Sequence, residues 1–147
     1  MRIGVAPVLM ALLAACAVGN WRSRSADKPL TPNELASRNL SVADRAHDPA
    51  LYAAFVRALA SEGFTVVAHP PYHEDLEVTL TVARTPEGVV AMATLRSDGF
   101  FIDETHAPFD GTDAAVATLA RTLAVSQGTA DFVRNSGTSQ QKSFSGQ

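Results

Sequence analysis

The feature that most constrains the fold of this chain is a strict alternation at residues 76–83. Leucine or valine stands at positions 76, 78, 80 and 82, and glutamate, threonine or alanine stands at the positions between and after them. Successive side chains of a β-strand point to opposite faces, so this pattern predicts a strand with one buried and one solvated face. The buried face then needs a second layer of structure to cover it.

Three further segments extend this strand into a predicted sheet. They lie at residues 64–68, 89–96 and 100–105. Tight turns at residues 85–88 and 97–99 join the last three strands and predict that they pair antiparallel. Pro70 and Pro71 interrupt the chain after the first strand, because proline has no N–H to donate to a β-ladder.

Two amphipathic helices are predicted to flank the strands. Asp48 and Pro49 are a typical N-cap and first helical residue, and Gly63 is a typical C-terminal stop, so the first helix is predicted at Pro49–Glu62. The second follows a cap at residues 110–113, carries apolar residues at 116, 119, 120 and 123, and ends near Gln127 and Gly128. A further helical turn is predicted at residues 130–133.

These elements predict an α+β domain at residues 48–134. Its sheet is a four-strand antiparallel meander covered on one face by two helices, in the order helix-strand-strand-strand-strand-helix. Residues 16–47 are polar and show no hydrophobic period, so we expect a flexible tether. Residues 135–147 are rich in Ser, Gly and Gln and are expected to form a disordered tail.

The amino terminus has the pattern of an export signal. Arg2 precedes an apolar run at residues 3–18, which is shorter than the ~20 residues that a membrane-spanning helix needs. The run closes on Cys16, and because this is the only cysteine of the 147 residues, a disulfide framework and a multi-cysteine metal site are excluded. The formal net charge of −3 argues against nucleic acid as a partner, since phosphate binding needs clustered Lys and Arg.

The tetrapeptide Leu13-Ala14-Ala15-Cys16 resembles the lipobox of bacterial lipoproteins. The resemblance implies a signal peptide at residues 1–15, cleavage before Cys16, a diacylglyceryl thioether on its sulfur and further acylation by a fatty acid such as palmitate. Two or more acyl chains anchor a protein stably, whereas one binds only marginally. Ala17, rather than aspartate, follows the cysteine, which by resemblance to enteric lipoproteins favours the outer membrane.

The rest of the chain resembles small envelope lipoproteins in its pattern. The resemblance is carried by Leu-Ala-Ser-Glu-Gly-Phe-Thr-Val-Val at residues 59–67, by the Ala-rich run at residues 114–120, and by Phe132-Val133. It points to the auxiliary lipoproteins of ABC-type lipid transport systems and, more distantly, to the lipoprotein that assists lipopolysaccharide transporter assembly. It implies a binding role without cofactors.

One cluster carries groups that could hold a metal. Its members are His69, His73, Glu74, Asp75 and, more remotely, His106. Imidazole and carboxylate groups are ligands for zinc and copper. Because Pro70 and Pro71 prevent the two nearby histidines from sharing a helix face, we expect a polar loop and no bound metal.

Two further features have simple structural interpretations. Phe100 and Phe101 are neighbours on a strand, so one is expected in the core and the other partly covered, with an exposed contact surface as the alternative. The acidic stretch is expected to supply a turn, a helix cap and solvated strand positions rather than a catalytic pair. It comprises Asp98, Asp103, Glu104, Asp110 and Asp113.

The sequence therefore predicts a bacterial envelope lipoprotein that faces the periplasm, with lipid bound through Cys16. We expect a non-catalytic accessory or assembly factor for an envelope protein complex, which is held by the solvated sheet face or by an edge strand through β-augmentation. The alternative is a periplasmic module that binds a metal or small ligand near His69, His73 and His106. An enzyme is not expected, because no nucleophile motif or phosphate-binding loop is present.

Overall fold

The computed structural model describes residues 23–145, with side chains described through residue 136. The expected signal peptide and Cys16 lie outside these residues. The helices are α1 (Pro32–Ala36), α2 (Pro49–Glu62), α3 (Asp113–Ala124) and α4 (Gln127–Ser145). The strands are β1 (Asn39–Asp44), β2 (Thr65–Val66), β3 (Leu76–Thr85), β4 (Gly88–Ser97) and β5 (Phe100–Pro108).

The strands form one mixed sheet in the order β2-β1-β3-β4-β5. β3, β4 and β5 are antiparallel neighbours, as predicted. The prediction of a purely antiparallel four-strand sheet is wrong, because β1 is a fifth strand that pairs in parallel with both β2 and β3. β2 therefore lies beside β1 and outside the meander. The α+β class is confirmed.

β1 lies in the segment that was predicted as part of a flexible tether. In the structure Leu40 is fully buried and pairs with both Val66 and Leu76. Its six residues carry only two aliphatic side chains larger than alanine, so they show little apolar periodicity of their own. A parallel strand between two neighbours obtains its hydrogen bonds from distant parts of the chain, and this pairing leaves no local signal.

The start of the described chain is also packed against the domain. Ala26 donates its backbone N–H to Val125 O at 2.8 Å, and Gln127 donates its own to Arg24 O at 2.6 Å. Leu30 and Leu35 are buried in the core. The folded part therefore begins no later than residue 23 rather than at residue 48.

The predicted first helix has the predicted bounds. The Asp48 carboxylate accepts the Leu51 N–H at 3.1 Å, and Pro49 occupies the first turn, where its missing N–H costs nothing. Gly63 ends the helix with a φ of 115°, a left-handed conformation that side chains disfavour. This local chemistry is sufficient to set both ends.

Helices α2 and α3 cover one face of the sheet. Phe55 and Leu59 of α2 and Leu119 and Leu123 of α3 have no exposed surface. They meet the alternating apolar residues of the central strands, which are also fully buried: Leu76, Val78, Leu80, Ala93 and Leu95. The second layer that the alternation required is therefore present.

The last helix extends through most of the expected disordered tail. The Ser126 hydroxyl accepts the Thr129 N–H at 3.1 Å and begins α4, which continues to Ser145. Arg134 fastens this helix to the amino-terminal segment: its guanidinium donates to Glu34 Oε2 at 2.9 Å and to the Lys28 carbonyl at 2.7 Å. These contacts span about a hundred positions of sequence, which explains why local composition predicted a tail.

The Glu34–Arg134 contact predicts a pH-dependent stability. The hydrogen bond from Arg134 holds the pKa of Glu34 below its ordinary value of 4.5, so the contact stabilises the fold above that pH and is lost as the pH falls through the lowered pKa. At pH 7 the urea midpoint of Glu34→Gln is expected to be lower than that of the wild type. This difference in midpoint should shrink as the pH drops below 4.5. Glu87→Gln, in an exposed turn, is the control. A difference that does not change with pH would contradict this role.

Candidate interaction surface

A β-bulge determines where the two phenylalanines of β5 point. Leu95 pairs with Asp103 but Arg96 pairs with Phe101, so Ile102 has no partner opposite it. Without this extra residue, Phe101 would share the helix-covered face with Asp103, and with it Phe101 lies opposite Arg96 on the other face. Phe100 and Phe101 are 76% and 48% exposed. The expectation that one of them enters the core is wrong.

Tyr72 is a third exposed aromatic at the same end of the sheet. It is 66% exposed, and its ring stacks on His69 with centroids 4.3 Å apart. The loop that carries it is tied to the β4–β5 turn, where Asp98 Oδ1 lies 3.0 Å from His73 Nδ1. We name Tyr72, Phe100 and Phe101 the aromatic end.

The sheet face opposite the helices carries polar side chains. Thr94 Oγ1 donates to Glu104 Oε1 at 2.9 Å, and Glu104 Oε2 lies 3.2 Å from His106 Nε2. Arg96 donates to Thr79 Oγ1 at 3.4 Å. We name the half-buried and buried side chains of this surface the open face: Glu77, Thr79, Thr81, Met92, Thr94, Arg96, Glu104 and His106. It offers charges of both signs and hydrogen-bonding groups on a rigid sheet.

The edge of β5 is poorly suited to pairing with an added strand. The Glu104 N–H is already bonded to Asp103 Oδ1 at 2.8 Å, Pro108 has no N–H, and the bulge distorts the strand. Bulges, prolines and charged groups are the usual means of blocking a sheet edge. At the other edge, β2 has only two residues. β-augmentation therefore has weak support from this geometry.

The structure does not bring the candidate metal ligands together. His69 and His73 lie in the loop before β3, whereas His106 pairs with Met92 on the edge strand β5. His69 Nδ1 lies 2.7 Å from the Pro70 carbonyl, and the other two histidines face carboxylates of Asp98 and Glu104. Among the described residues, no three His, Cys, Asp or Glu side chains form a group that could hold a metal ion.

The acidic stretch is dispersed into separate structural roles. Asp98 bonds to the loop before β3, and Asp113 begins α3. Asp103 accepts from the Glu104 N–H and from Ser23, and the Glu104 carboxylate accepts from Thr94 of β4. Asp110 accepts from the Thr112 hydroxyl at 2.5 Å and from its N–H at 3.0 Å, and these bonds lower the pKa of Asp110. These carboxylates therefore stabilise turns, caps and strands.

The chain enters the domain beside Asp103. Ser23 donates its hydroxyl to Asp103 Oδ2 at 3.1 Å. Gly128 of α4 lies against the same carboxylate: a Cβ at Gly128 would come within 2.8 Å of the Asp103 Cβ. Glycine is required here for close approach of helix and strand rather than for an unusual backbone conformation.

This close approach predicts that Gly128→Ala destabilises the protein. The added methyl group overlaps a side chain held on two sides by Ser23 and the Glu104 N–H, so we expect a loss of about 1–3 kcal/mol in the free energy of unfolding. Asp131→Ala, exposed on the same helix, should change it by less than about 0.5 kcal/mol. Urea denaturation measures both. Equal midpoints for the two variants would show that the helix moves away freely.

Sequence reasoning missed Tyr72 and the exposure of both phenylalanines. A bulge has no reliable sequence signal of its own, and alternation without it places one phenylalanine in the core. A weak signal was present in the second turn, where Asp98 and Gly99 both adopt positive φ, of 52° and 79°, and form a tight two-residue hairpin. That turn fixes Phe100 at the extreme end of the sheet.

In the described part of the chain, no helix has the length and apolar character that crossing a membrane requires. No protein-family model matches the chain, and no curated protein matches it. Solved structures to which the chain is similar include a PelC dodecamer from Paraburkholderia phytofirmans, with a TM-score of 0.46, 16% identity, and coverage of 72% of this chain and 96% of that one.

Two more similar structures come from Acinetobacter baumannii. TolB has a TM-score of 0.44 and 11% identity over 76% of this chain, which spans only 31% of TolB. A minor lipoprotein has a TM-score of 0.35 and 13% identity over 69% of this chain and 94% of that one. At these scores none of the likenesses assigns a family or a function to the chain.

Proposed function

We propose that this protein is a lipoprotein of the bacterial cell envelope that is anchored through Cys16 and faces the periplasm. It serves as a non-catalytic accessory or assembly factor of an envelope protein complex. The observation that carries the proposal is the lipobox-like Leu13-Ala14-Ala15-Cys16 at the end of an apolar run, directly ahead of a packed domain. Ala17 after the cysteine favours the outer membrane over the inner one.

The open face is the surface that we assign to the protein partner. It presents Arg96 and His106 beside Glu77 and Glu104, so a partner with both charged and hydrogen-bonding groups can satisfy it. Phosphate-rich partners are disfavoured because the carboxylates equal the basic groups in number. The blocked edge of β5 makes docking on the face a better fit than strand addition.

The anchor is tested by metabolic labelling with radioactive palmitate. The wild-type protein is expected to incorporate label and to sediment with membranes, since two or more acyl chains bind a bilayer stably. Cys16→Ser removes the sulfur that carries the lipid and should abolish both. An unlabelled wild-type protein would refute the anchor.

The partner surface is tested by photo-cross-linking in living cells. A photoreactive amino acid at Glu77, on the open face, is expected to capture one envelope protein in a ratio near one to one. The matched control places it at Ala117, which is exposed on α3 at the opposite side of the domain. Capture from Ala117 alone, or from neither position, would contradict the assignment of the open face.

A further inference from the structure

The packed amino-terminal segment shortens the link between domain and lipid. If residues 16–47 were a free tether, the domain could move far from the membrane. In the structure the chain is fixed at Ser23, only seven residues after Cys16. Even when fully extended, seven residues span at most about 25 Å. The domain of a protein lipidated at Cys16 is therefore held close to the bilayer.

The fixed point lies close to the aromatic end. Ser23 is bonded to Asp103, which is two residues from Phe101 and three from Phe100 along β5. At ~3.4 Å per residue, these positions are about 7–10 Å away, whereas the other end of β5 is about 17 Å away. The point at which the chain is fixed to the domain therefore lies nearer to the aromatic end than to the groove lined by Val82, Arg84 and Phe109 at the opposite end of the sheet.

The aromatic end has the composition of a membrane contact. Three of the four large hydrophobic side chains that are exposed in the described residues belong to it, and only Val82 lies elsewhere. Aromatic side chains are favoured at the boundary between headgroups and acyl chains, where an apolar ring and a polar group such as a tyrosine hydroxyl are both satisfied. The hydrogen bond between His73 and Asp98 holds the loop that carries Tyr72 against the β4–β5 turn that precedes Phe100.

The charges around these rings select the type of lipid surface. The neighbouring groove is lined by three carboxylates and one guanidinium: Asp75, Glu77, Asp98 and Arg96. Because negative charge exceeds positive charge there, this groove does not attract anionic headgroups. Insertion is then driven by apolar burial and is insensitive to salt, unlike the binding of a polybasic segment. Neutral phospholipid is the matching surface.

We infer that the aromatic end, formed by Tyr72, Phe100 and Phe101, is seated in the headgroup region of the membrane that holds the lipidated Cys16. The inference rests on the proposed lipid anchor. It also gives the orientation of the domain. The end of the sheet that carries the β4–β5 turn faces the bilayer, and the open face lies perpendicular to the membrane plane, where a protein partner can reach it.

The test uses the full lipidated protein in phosphatidylcholine vesicles with brominated acyl chains, which quench nearby tryptophans. Phe100→Trp is made in a Trp21→Phe background, so that the chain has a single tryptophan. Val82→Trp in the same background is the matched control, because Val82 is exposed at the far end of the domain. We expect quenching at position 100 to exceed that at position 82 at least threefold and to be unchanged in high salt or on adding anionic lipid. Unaltered urea midpoints show that both variants fold.

Flotation of the same vesicles separates the two hypotheses. If the protein floats with the vesicles but position 100 is quenched no more than position 82, the anchor stands and the proposed orientation is wrong. If the protein does not float, and behaves like Cys16→Ser, the anchor fails and the orientation fails with it. Strong quenching at position 82 in place of position 100 would reverse the orientation and also overturn the inference.

Discussion

The structure depends on burying the apolar face of β3 and β4 beneath α2 and α3. The burial of Leu76, Val78 and Leu80 against Phe55 and Leu59 removes from water the surface that the alternating pattern creates. Period-two alternation also fixes the strand register, because a slip by one residue would expose the leucines and bury Glu77 and the threonines. The polar character of the open face is a consequence of the same constraint.

The amino-terminal segment and α4 form a second level of organisation around this core. Neither has enough apolar periodicity to fold alone, and each is held by the other: Arg134 reaches Glu34 and two backbone carbonyls, and Gly128 allows α4 to approach Asp103. Because of this mutual packing, the expected tether at residues 16–47 is reduced to the short link between Cys16 and Ser23. The distance between lipid and domain is thus determined by contacts far from the acylated residue.

A single extra residue in β5 decides where Phe101 of the aromatic end points. The bulge at Ile102 turns Phe101 away from the helix-covered face and places it opposite Arg96, and the β4–β5 turn places Phe100 at the end of the sheet. The proposed membrane contact therefore adjoins the open face at Arg96 and Glu77, and the rest of the open face extends away from it toward His106. This arrangement suits an accessory protein that stays on a membrane while it holds a partner.

The sequence by itself determined the first long helix, the three-strand meander and the α+β class. Caps, tight turns and alternation are local, and each follows from a few neighbouring residues such as Asp48, Gly63 and Gly99. Only the tertiary structure decided the parallel strand β1, the extent of α4, the dispersal of the three histidines and the exposure of Phe100 and Phe101. These features arise from pairing and packing between residues that are distant in sequence. A parallel strand or a bulge is stabilised by partner strands elsewhere in the chain, so the local sequence pattern does not reveal it.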